Sequence, residues 1–197
     1  MPRPSNADER RRKLLPVITE AFSELGFRRA TTAELAARCD VRENILYRLW
    51  DDKKAMFVAA IDFLFERRLG TWKSILKETA EDESRVDRLI ELTAKNLGEE
   101  GLYRIIFAAL CETHDPDIKD ALERLYRRYH GLVEGEIDEH RRREDPGKVA
   151  GNDDTAWALI GLVTFMNVAI DLKLMGPRRR EQIFSKMARF LLSGRSG

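Results

Sequence analysis

Hydrophobic positions recur at three- and four-residue intervals along almost the whole chain, and no run alternates β-branched residues as a strand would. That spacing predicts an all-α protein of about nine helices. Leu14, Leu15, Ile18, Ala21, Phe22 and Leu25 share one face of the first helix, which Gly26 ends. Pro16 lacks an amide hydrogen and crowds the preceding turn, so this helix is expected to begin only about one to three residues before it. Residues 1–12 are then a basic arm, flexible or separately helical. Thr31 followed by Glu34 is a capping box that opens a short helix over residues 32–39. Asp40 and Val41 make a turn, and residues 43–49 a second short helix. A long helix opens at "DDKKAMF", with Met56, Ala60, Phe63 and Leu64 spaced for burial. Further helices are expected over 85–97, 102–113, 117–142, 154–174 and 178–192, with "EDPGKVAGNDD" as an exposed loop.

Two short helices joined by a tight turn, with a longer helix before them, are the parts of a helix-turn-helix. Val41, Ile45, Leu46 and Leu49 supply the anchoring side, and Trp50 closes the core. Arg42, Asn44, Tyr47 and Arg48 are left for a partner. Asparagine pairs in bidentate fashion with adenine and arginine with guanine. Tyr47 and Lys53 have the reach to touch backbone phosphates, which set register without reading sequence. On periodicity alone, a plain αα-corner in a helical core is an equal alternative.

Composition narrows the class. The chain is 43% hydrophobic and 35% charged with a net charge of +1, an ordinary globular mixture that gives no general affinity for polyanions. The charge is uneven: residues 1–55 hold 12 Lys and Arg against 9 Asp and Glu, the remainder 23 against 25. The sign suits nucleic acid at the N-terminus. The N-terminal residues carry no apolar signal core, and the longest apolar run, 156–170, is interrupted by Gly161, Thr164 and Asn167. Cys39 and Cys111 offer no disulfide framework and no metal spacing, which reads as reduced thiols in a cytoplasmic protein with no membrane partner. "CETHDPD" at 111–117 mixes soft and hard ligands without a recognised metal pattern and reads as a helix end, with Asp115 and Pro116 starting the next helix. His114, His130 and His140 form no nucleophile or metal arrangement, and there is no Gly-rich phosphate loop. An all-α enzyme therefore ranks last, and no cofactor is expected.

Three stretches carry a closer resemblance: "AFSELGF" at 21–27, "TTAELAARCDV" at 31–41 and "LYRLWDDKKAMF" at 46–57. Phe22, Gly26, Phe27, Thr31, Leu35, Ala36, Val41, Leu46, Tyr47 and Lys53 fall on the pattern of the TetR (tetracycline-repressor-like) family, with Trp50 for Phe and Met56 for Leu. The resemblance covers residues 12–60; beyond it the chain matches only as a helical region of the expected length. It implies a helix-turn-helix domain over residues 1–52 and a helical ligand-binding and dimerisation domain over 53–197. It also implies phosphate contacts from Thr31, Tyr47 and Lys53, and base contacts from Arg42, Glu43 and Asn44 with Arg48 nearby. The chain departs from the family at the turn. Asp40 stands for glycine and tolerates left-handed geometry better than most residues. Arg42 replaces a Ser or Thr cap, so Asp40 is expected to cap instead. Asn44 stands where a small residue is usual, and Glu43, Asp51 and Asp52 would repel phosphate if they faced it. Glu9 to Lys13 reads either as an arm for the minor groove or as a solvated charged segment.

The helix around 156–170 is apolar round its whole circumference, so it is buried on more than one side. The family resemblance implies a homodimer through a four-helix bundle of the last two helices, with Ala158, Gly161, Leu162, Phe165, Ala169, Met187, Phe190 and Leu191 at the interface. An inducer pocket would lie among the helices between residues 56 and 170, with Trp72, Tyr103, Phe107, Cys111, Tyr126, Trp157, Phe165 and Asn167 as candidate lining; each has simple core packing as its alternative. The resulting expectation is a regulator, most simply a repressor, that binds a palindromic duplex operator as a dimer and is released by a small, largely apolar inducer. The alternative is a helical dimer of the same fold that acts through protein contacts, its DNA head weakened.

Overall fold

The computed structural model of the chain describes residues 6–79, 84–98, 103–144 and 152–193. Among the described residues there are nine helices and no strand: α1 Asn6–Arg29, α2 Thr32–Arg38, α3 Glu43–Leu49, α4 Lys53–Glu78, α5 Arg85–Lys95, α6 Tyr103–Leu110, α7 Pro116–Glu144, α8 Asn152–Asp171 and α9 Pro177–Leu192. The chain divides into two compact units, residues 1–68 with 101–125, and residues 69–100 with 126–197. α4 and α7 each supply residues to both. The expected boundary at 52/53 divides the chain by role, whereas these units divide it by packing.

The first unit is built on α1, α2, α3, α6, the first part of α4 and the start of α7. Ile18, Phe22, Leu35, Leu46, Met56, Phe57, Ile61, Ile105 and Ile118 are all fully buried there. Burying one such side chain contributes about 1.5–3 kcal/mol. Phe57 is the hub of an aromatic cluster, its ring centroid 4.9 Å from those of both Phe22 and Phe27. Gly26, expected to end α1, instead kinks it at φ 72° and ψ 169°, a region open essentially to glycine alone, and the helix resumes to Arg29.

The expected arm does not survive in the described part. α1 already begins at Asn6, so residues 6–12 are helical and Pro16 lies inside the helix. Proline forfeits only its own bond to the carbonyl of residue 12, and Arg12 is exposed, so water can serve that group. The added turns are tied down by Arg11, whose Nε donates to the Leu49 carbonyl at 2.7 Å. Residues 1–5 lie outside the described residues.

The second unit holds α5, α8, α9 and the remaining parts of α4 and α7. Ile90, Ile137, Leu159, Met166, Phe184 and Leu192 pack in its core. Ser84 caps α5, accepting from the Asp87 amide at 3.2 Å, and Pro177 opens α9 after Gly176. The α8–α9 turn passes through Lys173 at φ 53°. By length and composition alone, Asp153–Asp171 is apolar enough to cross a membrane, with a mean hydropathy of 1.2. Its apolar positions are divided: Ala156, Leu159, Met166 and Ala169 are buried within the chain, while Trp157 and Phe165 are exposed. The centre of the predicted "EDPGKVAGNDD" loop, 145–151, lies outside the described residues.

Candidate nucleic-acid interface

The turn between α2 and α3 is a Schellman closure. The Val41 amide donates to the Ala36 carbonyl at 3.0 Å and the Asp40 amide to Ala37 at 3.1 Å. That pattern requires a left-handed residue, and Asp40 supplies it at φ 52°. The expectation that Asp would tolerate the turn holds, but the expectation that it would then cap α3 does not. Arg42 is the N-cap of α3 and no side chain caps it; Asp40 is spent closing α2. The capping box is half made. Thr31 Oγ1 accepts from the Glu34 amide at 3.2 Å, while the Glu34 carboxylate pairs with Arg38 Nε at 2.8 Å. Arg38 reaches Glu24 as well, at 2.5 Å, fastening α2 to α1.

α3 divides cleanly into two sides. Leu46 and Leu49 are buried and Ile45 half-buried, while Glu43, Asn44, Tyr47 and Arg48 are all exposed, with Arg42 exposed just before them. Positions 43, 44, 47 and 48 recur at three- and four-residue steps and so share one helix face. Trp50 is 8% exposed and closes the core below. Tyr47 donates to Thr32 Oγ1 at 3.1 Å, which steers its ring toward the start of α2, next to the exposed Thr31. Lys53 is placed differently. Its Nζ donates to the Phe27 carbonyl at 2.9 Å and sits 4.5 Å from the Phe27 ring centroid, so it closes the end of α1. Of the acidic residues, Asp52 is engaged as a cap, its Oδ1 accepting from the Ala55 amide at 2.7 Å; Asp51 is exposed.

"CETHDPD" has a use that sequence reasoning missed. Arg28 Nε donates to Glu112 Oε1 at 2.6 Å and Nη2 to Oε2 at 3.3 Å, on a carboxylate side chain only 8% exposed. Lys54 Nζ pairs with Asp117 at 2.5 Å and Asp115 at 3.3 Å. Asp115 also caps α7 through the amides of Asp117 and Ile118, as expected for a helix start. Burial pushes the Asp115 carboxyl up, but the bonds from Lys54 and the two amides outweigh it and hold it below the ordinary carboxylate range. This charged segment therefore fastens the end of α1 and the start of α4 within the first unit. Among the described residues no group of three or more His, Cys, Asp or Glu is arranged to hold a metal.

The second unit contains an apolar cavity of about 80 Å³ bordered by Trp72, Ile90, Val133, Leu159, Val163 and Phe184, among others. Of the residues expected to line a pocket, Trp72 borders it. Tyr103, Phe107 and Cys111 belong to the first unit, where the first two rings meet edge to face at 6.0 Å. Tyr126 is half-buried; burial pushes its phenol up against the opposing bond with Thr164. Trp157 stacks on His130 at 4.5 Å. Phe165 is 50% exposed and Asn167 is half-buried. The expected dimer residues lie mostly on the outside of the same unit: Ala158, Gly161, Phe165, Met187 and Phe190 are exposed, and Leu162 and Leu191 half-buried. A Cβ added at Gly161 would meet nothing within 4 Å. Ala169 is corrected, being fully buried within its own chain and so out of reach of a partner.

Residues 14–60 match the bacterial regulatory proteins of the tetR family. The nucleoid occlusion factor SlmA of Pectobacterium carotovorum is 30% identical over 157 residues, 78% of each chain. That of Citrobacter koseri is 32% identical over 124 residues, 62% of each. Among solved structures, a transcriptional regulator from Saccharomonospora viridis in complex with choline superposes with a TM-score of 0.78 at 17% identity, covering 92% of this chain and 96% of that one. A TetR-family regulator from Mesorhizobium loti does so with 0.78 at 16% identity, covering 96% and 98%. These structural likenesses carry the fold; the sequence relatives and the matched segment carry the family. The chain belongs to the TetR family of bacterial regulatory proteins, DNA-binding regulators of transcription rather than enzymes.

Proposed function

We propose that the chain is a repressor that binds a two-fold symmetric operator as a homodimer and is released by a small apolar ligand held in the second unit. The observation that carries the DNA reading is α3 itself: an apolar side locked into the core by Leu46, Leu49 and Trp50, and an exposed face bearing Asn44, Tyr47 and Arg48. Arg42, Asn44 and Arg48 then read base edges, while Thr31 and Tyr47 lie against phosphate. Lys53, committed to the Phe27 carbonyl, acts first on the frame and only secondarily on phosphate. The exposed apolar residues of α8 and α9 support dimerisation through these helices, which brings two reading heads to one operator. Ligand and DNA are coupled only if each prefers a different arrangement of the protein; α4 and α7, which contribute to both units, are the elements through which such a change would pass. Cys39 and Cys111 are both free thiols, which suits the cytoplasm.

The test is a titration of the purified protein against the duplex upstream of its own gene, over a range of salt. Specific binding predicts tighter association with that duplex than with random DNA and a steep loss with salt. Arg48→Ala or Asn44→Ala should each remove about 1–3 kcal/mol of the preference while leaving random-duplex binding nearly unchanged. No preference at any salt sinks the reading. The relatives' name, nucleoid occlusion factor, supports a second reading in which the DNA-bound chain takes part in nucleoid occlusion instead of promoter control. A deletion strain with unchanged transcription of neighbouring genes but septa forming over DNA would favour it.

A further inference from the structure

The helix pair α2–α3 is entered from residues 26–31 and left through residues 50–54, and one segment, 111–117, holds both connections. After the kink at Gly26, Arg28 Nε and Nη2 donate to the two carboxylate oxygens of Glu112 at 2.6 and 3.3 Å. Three residues on, Thr31 caps α2. Beyond α3, Lys54 Nζ pairs with Asp117 at 2.5 Å and Asp115 at 3.3 Å. Its neighbour Lys53 joins the two connections directly, donating to the Phe27 carbonyl. The segment that receives Arg28 and Lys54 is itself braced. The Glu112 amide donates to the Ala109 carbonyl at 3.0 Å and the Asp115 amide to the Glu112 carbonyl at 2.9 Å. Asp115 then caps α7.

We propose that Glu112 is a positioning residue for DNA reading: through Arg28 it sets the start of α2, with Asp115 and Asp117 as the second anchor, at Lys54. The side chain of Glu112 is 8% exposed and that of Arg28 74%. Withdrawing a carboxylate from water is costly, and an ion pair in such a place returns little net stability. What it does give is geometry, because a planar guanidinium on two carboxylate oxygens permits one orientation. His114 Nε2 comes only within 3.8 Å of Glu112, too far for a hydrogen bond, so the fork from Arg28 sets the orientation. Holding residue 28 holds Thr31 and Thr32, and Tyr47 on α3 is steered by its bond to Thr32. The sign of the effect separates this role from simple charge. Glu112 is a negative group in the unit that carries α3, so by its field alone its removal favours a polyanion. Removal of a positioning group weakens binding instead. The proposal rests on the reading of α3 as the DNA-contacting helix and assigns the residue that keeps it in place.

The test uses the full chain with Glu112→Gln, Arg28→Gln and the double substitution, at one pH and well below each thermal midpoint. Without DNA, amide hydrogen exchange is followed along the chain. Glu112→Gln should speed exchange in α2 and α3 about ten-fold and leave α5 and α9 as in the parent, whereas a general loss of stability would speed all four. Against the duplex upstream of its own gene, Glu112→Gln should bind about ten-fold more weakly, with the salt slope of the parent, since no phosphate contact is lost. The double substitution should also lose about ten-fold, not the hundredfold of two independent contacts. Asp117→Asn, at an exposed position where folding is not at risk, should weaken binding about two- to three-fold although it too removes a negative charge. Equal or tighter DNA binding by Glu112→Gln overturns the proposal. So do losses that multiply in the double substitution, or exchange in α2 and α3 that matches the parent. If the parent prefers no duplex, the operator reading fails, and the exchange measurement alone decides whether Glu112 holds α2 and α3.

Discussion

Asp40 sits at a backbone position where most side chains are strained, because the Schellman closure of α2 needs a left-handed residue before α3 can turn away. Aspartate is among the few non-glycine residues that visit this region readily. A β-branched residue there should be costly: Asp40→Val is expected to lower the unfolding free energy by about 1–2 kcal/mol. Asp40→Gly should stay within about 0.5 kcal/mol of the parent. Denaturant unfolding of the three proteins measures both; an unperturbed Val variant would remove the strain argument. Lys53 shows the complementary case. Its spacing after Tyr47 and Trp50 suits a phosphate contact, yet its ammonium already lies against the Phe27 carbonyl and ring.

At the scale of elements, helix ends carry much of the design. Thr31 supplies the one side-chain cap of the short helix α2. Thr31→Ala should therefore destabilise the protein by about 1 kcal/mol, read as a lower urea midpoint with an unchanged slope. The start of α7 is pH-sensitive. The Asp115 carboxyl is held below its ordinary value, so it binds a proton less readily folded than unfolded. Its contribution is therefore fully present above its unfolded value of about 3.9 and is lost as pH falls below that toward the lower folded value. Asparagine keeps the cap but removes the charge. Asp115→Asn should accordingly flatten the fall in thermal midpoint between neutral and strongly acidic pH; an acid limb as steep as the parent's would exclude this residue as its source. α1 teaches a further point, since Pro16 did not prevent the helix from extending back to Asn6, where Arg11 anchors it to α3.

For the whole molecule, the proposed homodimer rests on the exposed apolar side chains of α8 and α9. Phe165 is 50% and Phe190 58% exposed on helices that pack together in the second unit. Large exposed apolar groups grouped in this way mark an interaction surface. Replacing both by glutamate should give a monomer by sedimentation equilibrium. It should also weaken operator binding by about a hundredfold or more, since each head then binds without its tethered partner. A double variant that remains dimeric would place the interface elsewhere.

The sequence by itself determined the number of helices, most of their ends though not the start of α1, and the pair of short helices with the exposed face of α3; the family resemblance singled out that pair as a helix-turn-helix. These depend on contacts three or four residues apart, on caps and on turn residues, all of which are local and leave a periodic trace. The segment 111–117 looked like a helix end because its neighbours in the sequence say only that. Tertiary structure brought Arg28 onto Glu112 and Lys54 onto Asp115 and Asp117. It also turned Lys53 inward, buried Ala169, and gathered Trp72, Glu136 and Val163 around one cavity while Tyr103, Phe107 and Cys111 went to the other unit. Such placements depend on which helix faces meet across long stretches of chain. An apolar or charged residue carries the same periodic signal whichever neighbour it finally touches, so only the packed fold can choose among them.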